Sequence, residues 1–170
     1  MQASETAYDF RDKHAAYGEL AQALQALLAG ERDRTANAAN TAALLAAALP
    51  EINWAGFYFL QGRELVVGPF QGKPACVRIP LGRGVCGTAA EQRRTIVVPD
   101  VHLFPGHIAC DSASQSEIVV PLIVAERLLG VLDLDSPRRA RFDEADARGL
   151  ERVAEIFCAS LPAEPPAEIR

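Results

Sequence analysis

The sequence predicts an α+β domain in which helices flank a mainly antiparallel sheet of five or six strands. Both ends of the chain carry apolar residues at helical spacing, whereas the middle consists of short apolar or alternating runs separated by turn residues. Of the 170 residues, 49% are hydrophobic, which is enough to bury one core. We therefore expect a single domain over residues 1–170, with its core at about 17–158, less ordered ends, and the helices packed on one face of the sheet.

The helices follow from the helical period of apolar residues and from their stop signals. Such spacing predicts helices over residues 8–28 and 35–49, which a glycine and a proline terminate. A short helix is expected at residues 88–93. The last helix, over residues 143–160, begins with the acidic residues that a helix N-terminus favours.

Six short runs have the composition of strands, and turns join the first two and the last two as hairpins. The predicted strands cover residues 53–60, 65–70, 75–79, 95–98, 118–124 and 128–134. A long loop over residues 100–117 separates the fourth strand from the fifth. Loops of this length are uncommon in so small a domain and are often functional.

Charge and composition exclude several classes of protein. The net charge is -5 and the arginine pairs form no basic stripe, so we expect no binding to nucleic acid. The longest apolar stretch, residues 41–49, is too short to span a membrane. The N-terminus is polar and acidic, unlike a signal peptide, which favours a cytoplasmic location.

Four cysteines in a cytoplasmic protein suggest transient redox chemistry, a metal site or core packing rather than permanent disulfides. Cys158 lies in an apolar helical run and is expected to be core. Cys76 shares a predicted strand face with Arg78, and Cys110 lies in the polar long loop. Cys86 lies at the entry to a helix, where backbone dipoles favour a thiolate.

A metal site is not expected, although several suitable side chains are close together in the long loop. His102, His107, Cys110 and Asp111 lie within ten residues of one another. Their spacing matches no common zinc pattern, and the sequence contains no C-x-x-C. Both histidines are expected to anchor the loop or to lie at the surface.

Glycines in the middle of the chain match a dinucleotide-binding pattern that the context does not support. Gly82, Gly84 and Gly87 fit G-x-G-x-x-G between a strand and a helix. The preceding strand carries Arg78 and Pro80, whereas a central parallel strand is nearly all apolar. We expect these glycines to shape a tight turn that brings a helix N-terminus close to another group.

Alternation along two predicted strands gathers polar and aromatic residues that could form a pocket. Asp133 and Asp135 point to one face of the strand GVLDLDS, which is costly for two like charges unless they are solvated or used. Trp54 and Tyr58 share a face of the first strand, with Gly56 between them leaving room for a small apolar group. The alternatives are a solvated strand end and ordinary core packing.

Together these features resemble the free methionine-(R)-sulfoxide reductases, a family of GAF-domain proteins. The resemblance runs from about residue 17 to residue 157. It rests on the segments NWAGFYF, PACVRIPLGRGVCGTAA, PGHIACDSASQSEIVVPL and GVLDLDSP followed by RFDEAD. A GAF sensor would share the fold and the GVLDLDS-like strand, but three cysteines at these spacings are not expected in one.

The resemblance implies a role for each matching residue. Cys110 corresponds to the catalytic cysteine, Cys86 to the main resolving cysteine, and Cys76 to a third that can exchange disulfides. The pocket carboxylates and the aromatic wall of the family correspond to Glu117, Asp133, Asp135, Trp54 and Tyr58.

The implied mechanism needs no bound cofactor. The Cys110 thiolate attacks the sulfoxide sulfur while Glu117 or Asp135, with a raised pKa, protonates the oxygen. Asp133 stays charged and pairs with the substrate ammonium, and Trp54 holds the S-methyl group. The resulting sulfenic acid condenses with another cysteine to a disulfide, which thioredoxin reduces, by family resemblance.

Two other functions are left open by the residues themselves. One is a GAF module that senses a small ligand without catalysis, and the other is a redox sensor that forms the disulfide but does not use methionine sulfoxide. The first two helices carry apolar surface to spare, and we expect a homodimer.

Overall fold

The computed structural model describes residues 8–108 and 111–162. Within these ranges the helices are α1 (Lys13–Leu28), α2 (Arg34–Ala48), α3 (Gly84–Gln92) and α4 (Glu144–Ser160). The strands are β1 (Trp54–Gln61), β2 (Glu64–Gly72), β3 (Arg78–Pro80), β4 (Ile96–Val98), β5 (Ser116–Val124) and β6 (Arg127–Ser136). None of these helices combines the length and apolarity needed to cross a membrane. The predicted lower order of the chain ends concerns residues outside the described ranges.

The six described strands form one sheet in the order β3-β2-β1-β6-β5-β4, and every neighbouring pair is antiparallel. The α+β class and the higher of the two predicted strand counts are confirmed. β1 and β2 form one hairpin, and β5 and β6 form another. Because β1 pairs with β6, residues that are far apart in the sequence meet at the centre of the sheet.

The helices do not all lie on one face, which corrects the expectation from sequence. α1, α2 and α4 cover the face where Phe57, Leu132 and Phe157 are buried. α3 covers the other face, where its residues Cys86 and Ala89 pack into a second core. The first six residues of β1 are all buried, whichever face they point to. A strand buried on both faces requires cover on both, so a single layer of helices is not enough.

The glycine-rich turn before α3 behaves as predicted. Gly82 and Gly84 have φ values of 77° and 60°, which other residues rarely adopt. A Cβ on Gly87 would lie 2.4 Å from the carbonyl oxygen of Pro80, so only glycine lets α3 approach the preceding strand this closely. The antiparallel sheet also excludes the parallel βαβ unit that a dinucleotide site requires.

Three elements begin at least three residues away from their predicted starts. α1 begins at Lys13, not at residue 8, because Asp12 caps it by accepting a hydrogen bond from the Ala15 N–H. α3 begins at Gly84, four residues before its predicted start at residue 88. β3 covers three residues only, so Cys76 precedes it and does not share a strand face with Arg78.

Candidate active site

A row of side chains crosses three neighbouring strands on the face that α3 covers. Glu117 on β5 lies opposite Asp135 on β6, and Asp135 lies opposite Trp54 on β1. Two residues away on the same two strands, Asp133 of β6 lies opposite Gly56 of β1. Directly opposed residues in antiparallel strands point to the same face. The shared face predicted for Asp133 and Asp135 is confirmed, and the register adds Glu117. We call these three residues the carboxyl cluster.

α3 brings a thiol onto the carboxyl cluster. The Cys86 Sγ lies 3.9 Å from the Glu117 Oε1. One ligand atom from each of Cys86, Glu117 and Asp133 falls within 4.8 Å of the others. All three residues are buried, with 4%, 6% and 6% of their surface exposed. The short approach of α3 to β3 at Gly87 therefore fixes where this thiol sits.

Burial sets the charge state of the cluster. Removal from water raises the pKa of Glu117, Asp133 and Asp135 well above the usual carboxyl range, and repulsion between the carboxylates adds to this effect. Asp133 is therefore expected to be neutral in the protein without substrate, whereas the charge predicted for it from the sequence applies beside a substrate ammonium. All three acids therefore favour their protonated forms more strongly than exposed carboxyl groups do.

The same burial corrects the prediction for Cys86. Although this residue lies in the first turn of α3, the pKa of its thiol is raised well above the usual value. Desolvation is the largest cause, followed by the charges of Asp133, Glu117 and Asp135. The helix dipole is a weaker influence than burial next to three carboxyl groups.

An aromatic wall borders the cluster at β1. The Trp54 ring stacks on Tyr58 at 5.8 Å and on Phe70 at 5.1 Å between ring centroids. The Trp54 Nε1 donates to the Lys73 carbonyl oxygen at 3.1 Å, which fixes the indole. A Cβ on Gly56 would lie 2.3 Å from the Cβ of Phe70. The predicted room above Gly56 is therefore occupied by the wall itself.

Of the three cysteines predicted to act at the site, the structure describes Cys76 and Cys86 but not Cys110. The carbonyl oxygen of Cys76 accepts a hydrogen bond from the Tyr58 hydroxyl at 3.1 Å, so this segment lies beside the aromatic wall. Cys86 belongs to the cluster. Cys110 lies outside the described residues. Its neighbour Asp111 accepts hydrogen bonds from Asn53 at 3.2 Å and Lys73 at 3.3 Å. The loop after Cys110 therefore returns to the β1 end of the wall.

His107 is a site residue that the sequence analysis assigned only to loop anchoring or the surface. Its Nε2 lies 3.4 Å from the Glu117 Oε2, and 15% of its side chain is exposed. Partial burial lowers its pKa below the ordinary 6.5. His102, by contrast, is exposed and contacts Asp100 at 2.9 Å, as expected for a surface anchor. Periodicity gives no signal in a loop, so sequence alone could not separate the two histidines.

The possible cation ligands are not those adjacent in the sequence. Cys86, Glu117 and Asp133 are close enough to share an ion, whereas His102 and Asp111 bond to Asp100 and Lys73 instead. One surface cavity lies between α1 and α4, and a second lies between residues 8–11 and the end of α2. Neither is lined by the carboxyl cluster. The chemistry available at the cluster is thus that of a thiol and protonated acids on a covered face of the sheet.

Comparison with known proteins places this architecture in a class. The model of the GAF domain family matches residues 19–161. This range includes all six described strands and every described residue of the site. The fold is therefore that of a GAF domain.

Relatives narrow the assignment. The chain is 55% identical over 137 residues to the free methionine-R-sulfoxide reductase of Escherichia coli, covering 81% of this chain and 83% of that protein. It is 56% identical to protein YtsP of Bacillus subtilis, covering 86% and 91%. The X-ray structure of the Neisseria meningitidis free methionine-R-sulfoxide reductase with its substrate matches with a TM-score of 0.85 and 49% identity, covering 89% and 92%. The chain belongs to the GAF-domain family of free methionine-R-sulfoxide reductases.

Proposed function

We propose that this chain reduces free methionine-(R)-sulfoxide to methionine, with Cys110 as the attacking thiolate and no bound cofactor. The observation that carries the proposal is the carboxyl cluster with its raised pKa values beside a buried thiol. A sulfoxide is a poor electrophile until its oxygen is protonated, and acids that hold a proton near neutral pH suit that task. Relatives that carry the name of this reductase support the choice of substrate.

Glu117 and Asp135 are the proposed proton donors to the sulfoxide oxygen. They lie opposite each other on β5 and β6, so both can face one substrate atom. The pKa of Glu117 is raised by burial first and by the charge of Asp135 second, so the pair favours a state in which a proton is retained.

Asp133 is the proposed partner of the substrate ammonium. Its Oδ1 is buried and has no hydrogen-bond partner among the described residues. A nearby ammonium favours the ionised carboxylate, so substrate binding would restore the charge that burial suppresses. Methionine within a peptide lacks this ammonium, which gives a physical reason for selecting the free amino acid.

The aromatic wall is the proposed site of the S-methyl group. Trp54 lies opposite Asp135 across β1 and β6, so an apolar surface borders a proposed proton donor. The Trp54 indole stacks on both Tyr58 and Phe70, and these contacts hold it in one orientation. A rigid wall of this kind positions the reacting sulfur relative to the acids.

The proposed cysteine chemistry balances in two steps. The Cys110 thiolate attacks the substrate sulfur, the oxygen is protonated and passes to Cys110 as a sulfenic acid, and methionine leaves with its sulfur reduced by two electrons. The thiol of Cys86 or Cys76 then condenses with the sulfenic acid, which releases water and forms a disulfide. An external dithiol, thioredoxin by family resemblance, reduces the disulfide by exchange.

Residues on both sides of Cys110 support its proposed position. Asp111 follows it directly and influences the pKa of Asp135 through its charge. His107, three positions before it, contacts Glu117. These neighbours in the sequence support a role for Cys110 at the same site.

A substrate panel tests the proposal. Both epimers of methionine sulfoxide, each free and N-acetylated, are assayed with thioredoxin as reductant by measuring methionine or its N-acetyl derivative. We expect turnover of the free R epimer and little with the other three. Binding of the free R epimer without any methionine formation would show a sensor module instead.

Cysteine variants test the assigned roles. Cys110→Ser should abolish turnover with dithiothreitol, and Cys86→Ser should keep a single turnover but impair recycling by thioredoxin. Cys158→Ser is the matched control, because Cys158 lies on α4 away from the cluster and is expected to leave turnover unchanged. Disulfide formation by a peroxide without use of methionine sulfoxide would favour a redox sensor.

Two further expectations belong to this proposal. We propose a cytoplasmic location, where thioredoxin keeps thiols reduced. We also propose a homodimer, which the exposed Leu27 on α1 supports as an apolar surface residue. Light scattering at several protein concentrations measures the oligomeric state directly.

A further inference from the structure

We propose that His107 carries protons between solvent and Glu117 in each catalytic cycle. The inference rests on the proposed function, because it assigns a proton supply to the proposed acid. The two oxygens of Glu117 face different partners: Oε1 faces the Cys86 Sγ at 3.9 Å, and Oε2 faces the His107 Nε2 at 3.4 Å. Glu117 is 6% exposed, whereas 15% of the His107 side chain reaches solvent. His107 therefore links a buried acid to water.

The other titratable groups around Glu117 are less suited to carry protons between solvent and this acid. Cys86 faces it from α3, and Asp133 and Asp135 face it from β6. Asp111, in the loop after His107, acts on Asp135. The thiol and the two aspartates of β6 are acids whose pKa burial raises, so they compete with Glu117 for protons. His107 is the basic group among these neighbours.

Burial also shifts the proton affinities of the two partners in opposite directions. Burial raises the pKa of Glu117 from the usual carboxyl range, and burial lowers the pKa of His107 from 6.5. In the resting pair these shifts favour a protonated Glu117 and a neutral His107, so a proton taken up by His107 passes readily to a Glu117 carboxylate. A residue that is neutral at rest and exposed at one edge is suited to exchange that proton with water.

The proton balance of the cycle closes through this pair. Cys110 releases its thiol proton to solvent when it becomes a thiolate. Glu117 then gives its proton to the sulfoxide oxygen, which ends on Cys110 as the sulfenic hydroxyl while methionine leaves. His107, neutral at rest, then takes a proton from water and passes it to the Glu117 carboxylate, which returns both groups to their starting state. One proton is released and one is taken up, so the net count is zero.

His107→Ala tests the relay by separating the first turnover from later ones. Reduced enzyme begins with Glu117 already protonated, so the first methionine should form within roughly twofold of the wild-type rate. Later turnovers should be slowed by about 100-fold or more, the lower end of the range for loss of acid-base assistance. Imidazole should restore them in a saturable manner, because the missing side chain leaves a space next to solvent. Reduction of the disulfide by thioredoxin is timed separately.

Two variants keep the test decisive. His102→Ala removes the exposed histidine of the same loop, which contacts Asp100 and not the cluster, and should change neither rate. His107→Gln keeps a hydrogen-bonding side chain that cannot carry a proton and should behave as His107→Ala does without imidazole.

Some outcomes would overturn the inference. Equal loss of the first and later turnovers without imidazole rescue would mean that His107 only shapes the loop, and unchanged rates would mean that Glu117 is protonated by another route. Absence of methionine formation by the wild-type protein would instead refute the proposed function itself.

Discussion

Asp133 has opposite effects on stability and on the proposed function, because its ionised form destabilises the fold but would bind the substrate ammonium. Burial, reinforced by the charge of Glu117, raises the pKa of its carboxyl well above the usual 3.8, which applies in the unfolded chain. Between these two pKa values the folded state binds more protons than the unfolded state. The contribution of this group to folding stability is therefore full in acid and decreases as the pH rises through the folded pKa.

Asp133→Asn should stabilise the folded protein increasingly as the pH rises from acid to mildly alkaline, since asparagine keeps the shape and cannot ionise. Melting temperatures across a pH series measure the difference from wild type. Asp143 is the control of opposite sign: its contact with Lys13 lowers its pKa to about 2. Its contribution is present above pH 3.8 and is lost as the pH falls toward about 2. A pH-independent difference for Asp133→Asn would show that this carboxyl is ionised in the fold.

The same substitution should weaken selection of the free amino acid. Loss of a charged partner for the substrate ammonium removes about 1.5–3 kcal/mol, which corresponds to roughly a 10- to 100-fold rise in KM. The preference for free over N-acetylated methionine sulfoxide should decrease by a similar factor, as steady-state kinetics with both substrates would measure. An unchanged preference would assign the ammonium to another residue.

At this scale, strand alternation was the most informative sequence signal. It predicted correctly that Asp133 and Asp135 share one face of their strand, and that Trp54 and Tyr58 share one face of theirs. It could not predict that Glu117 lies opposite Asp135, because register depends on pairing between strands. Phe70 was missed because its position above Gly56 exists only once β1 and β2 are paired.

Among the elements, α3 determines where the buried thiol lies. A Cβ at Gly87 would meet the Pro80 carbonyl oxygen at 2.4 Å, so the helix would have to move away from β3. Because a backbone atom forms this contact, a side-chain rotation cannot relieve it. The position of Cys86 relative to Glu117 therefore depends on a glycine one residue further along the helix.

Gly87→Ala should lower the melting temperature and slow disulfide formation by Cys86, although alanine normally favours a helix. Gly18→Ala in α1 is the matched control, since no atom lies within 4 Å of its added Cβ. There the helix preference of alanine should raise stability by about 0.5–1 kcal/mol. Denaturation midpoints give the two stabilities, and trapping of free thiols over time gives the disulfide rate. Equal stabilisation by both substitutions would show that α3 can shift without cost.

Helix and strand order was predictable, but element boundaries near the site were not. Long periodic segments such as α2 and α4 were predicted to within about a residue or two. The start of α3 was placed too late because glycines argue against a helix locally, whereas here they allow close packing. β3 was predicted too long, since composition does not show where pairing with β2 ends.

On the scale of the whole molecule, one face of the sheet carries most of the hydrophobic core and the other face carries the candidate active site. The larger core and the helices α1, α2 and α4 occupy one face, and the carboxyl cluster occupies the other. Asp146 is fully buried within the helical layer. It accepts hydrogen bonds from Tyr17 at 2.9 Å, Lys13 at 2.6 Å and Arg141 at 3.2 Å. One carboxylate thus connects α1, α4 and the segment after β6.

This division predicts that the helical layer can be weakened without altering catalysis. Asp146→Ala leaves Arg141 buried without its carboxylate partner, and breaking a buried pair in this way costs about 3–5 kcal/mol. Glu155→Ala is the control, because its ion pair with Arg152 is exposed and its loss should cost less than about 0.5 kcal/mol. Urea titrations give both values, and methionine formation per folded molecule should match wild type for both variants. A fall in the specific activity of the folded Asp146→Ala protein would mean that the helical layer also positions the carboxyl cluster through the shared strands β1, β5 and β6.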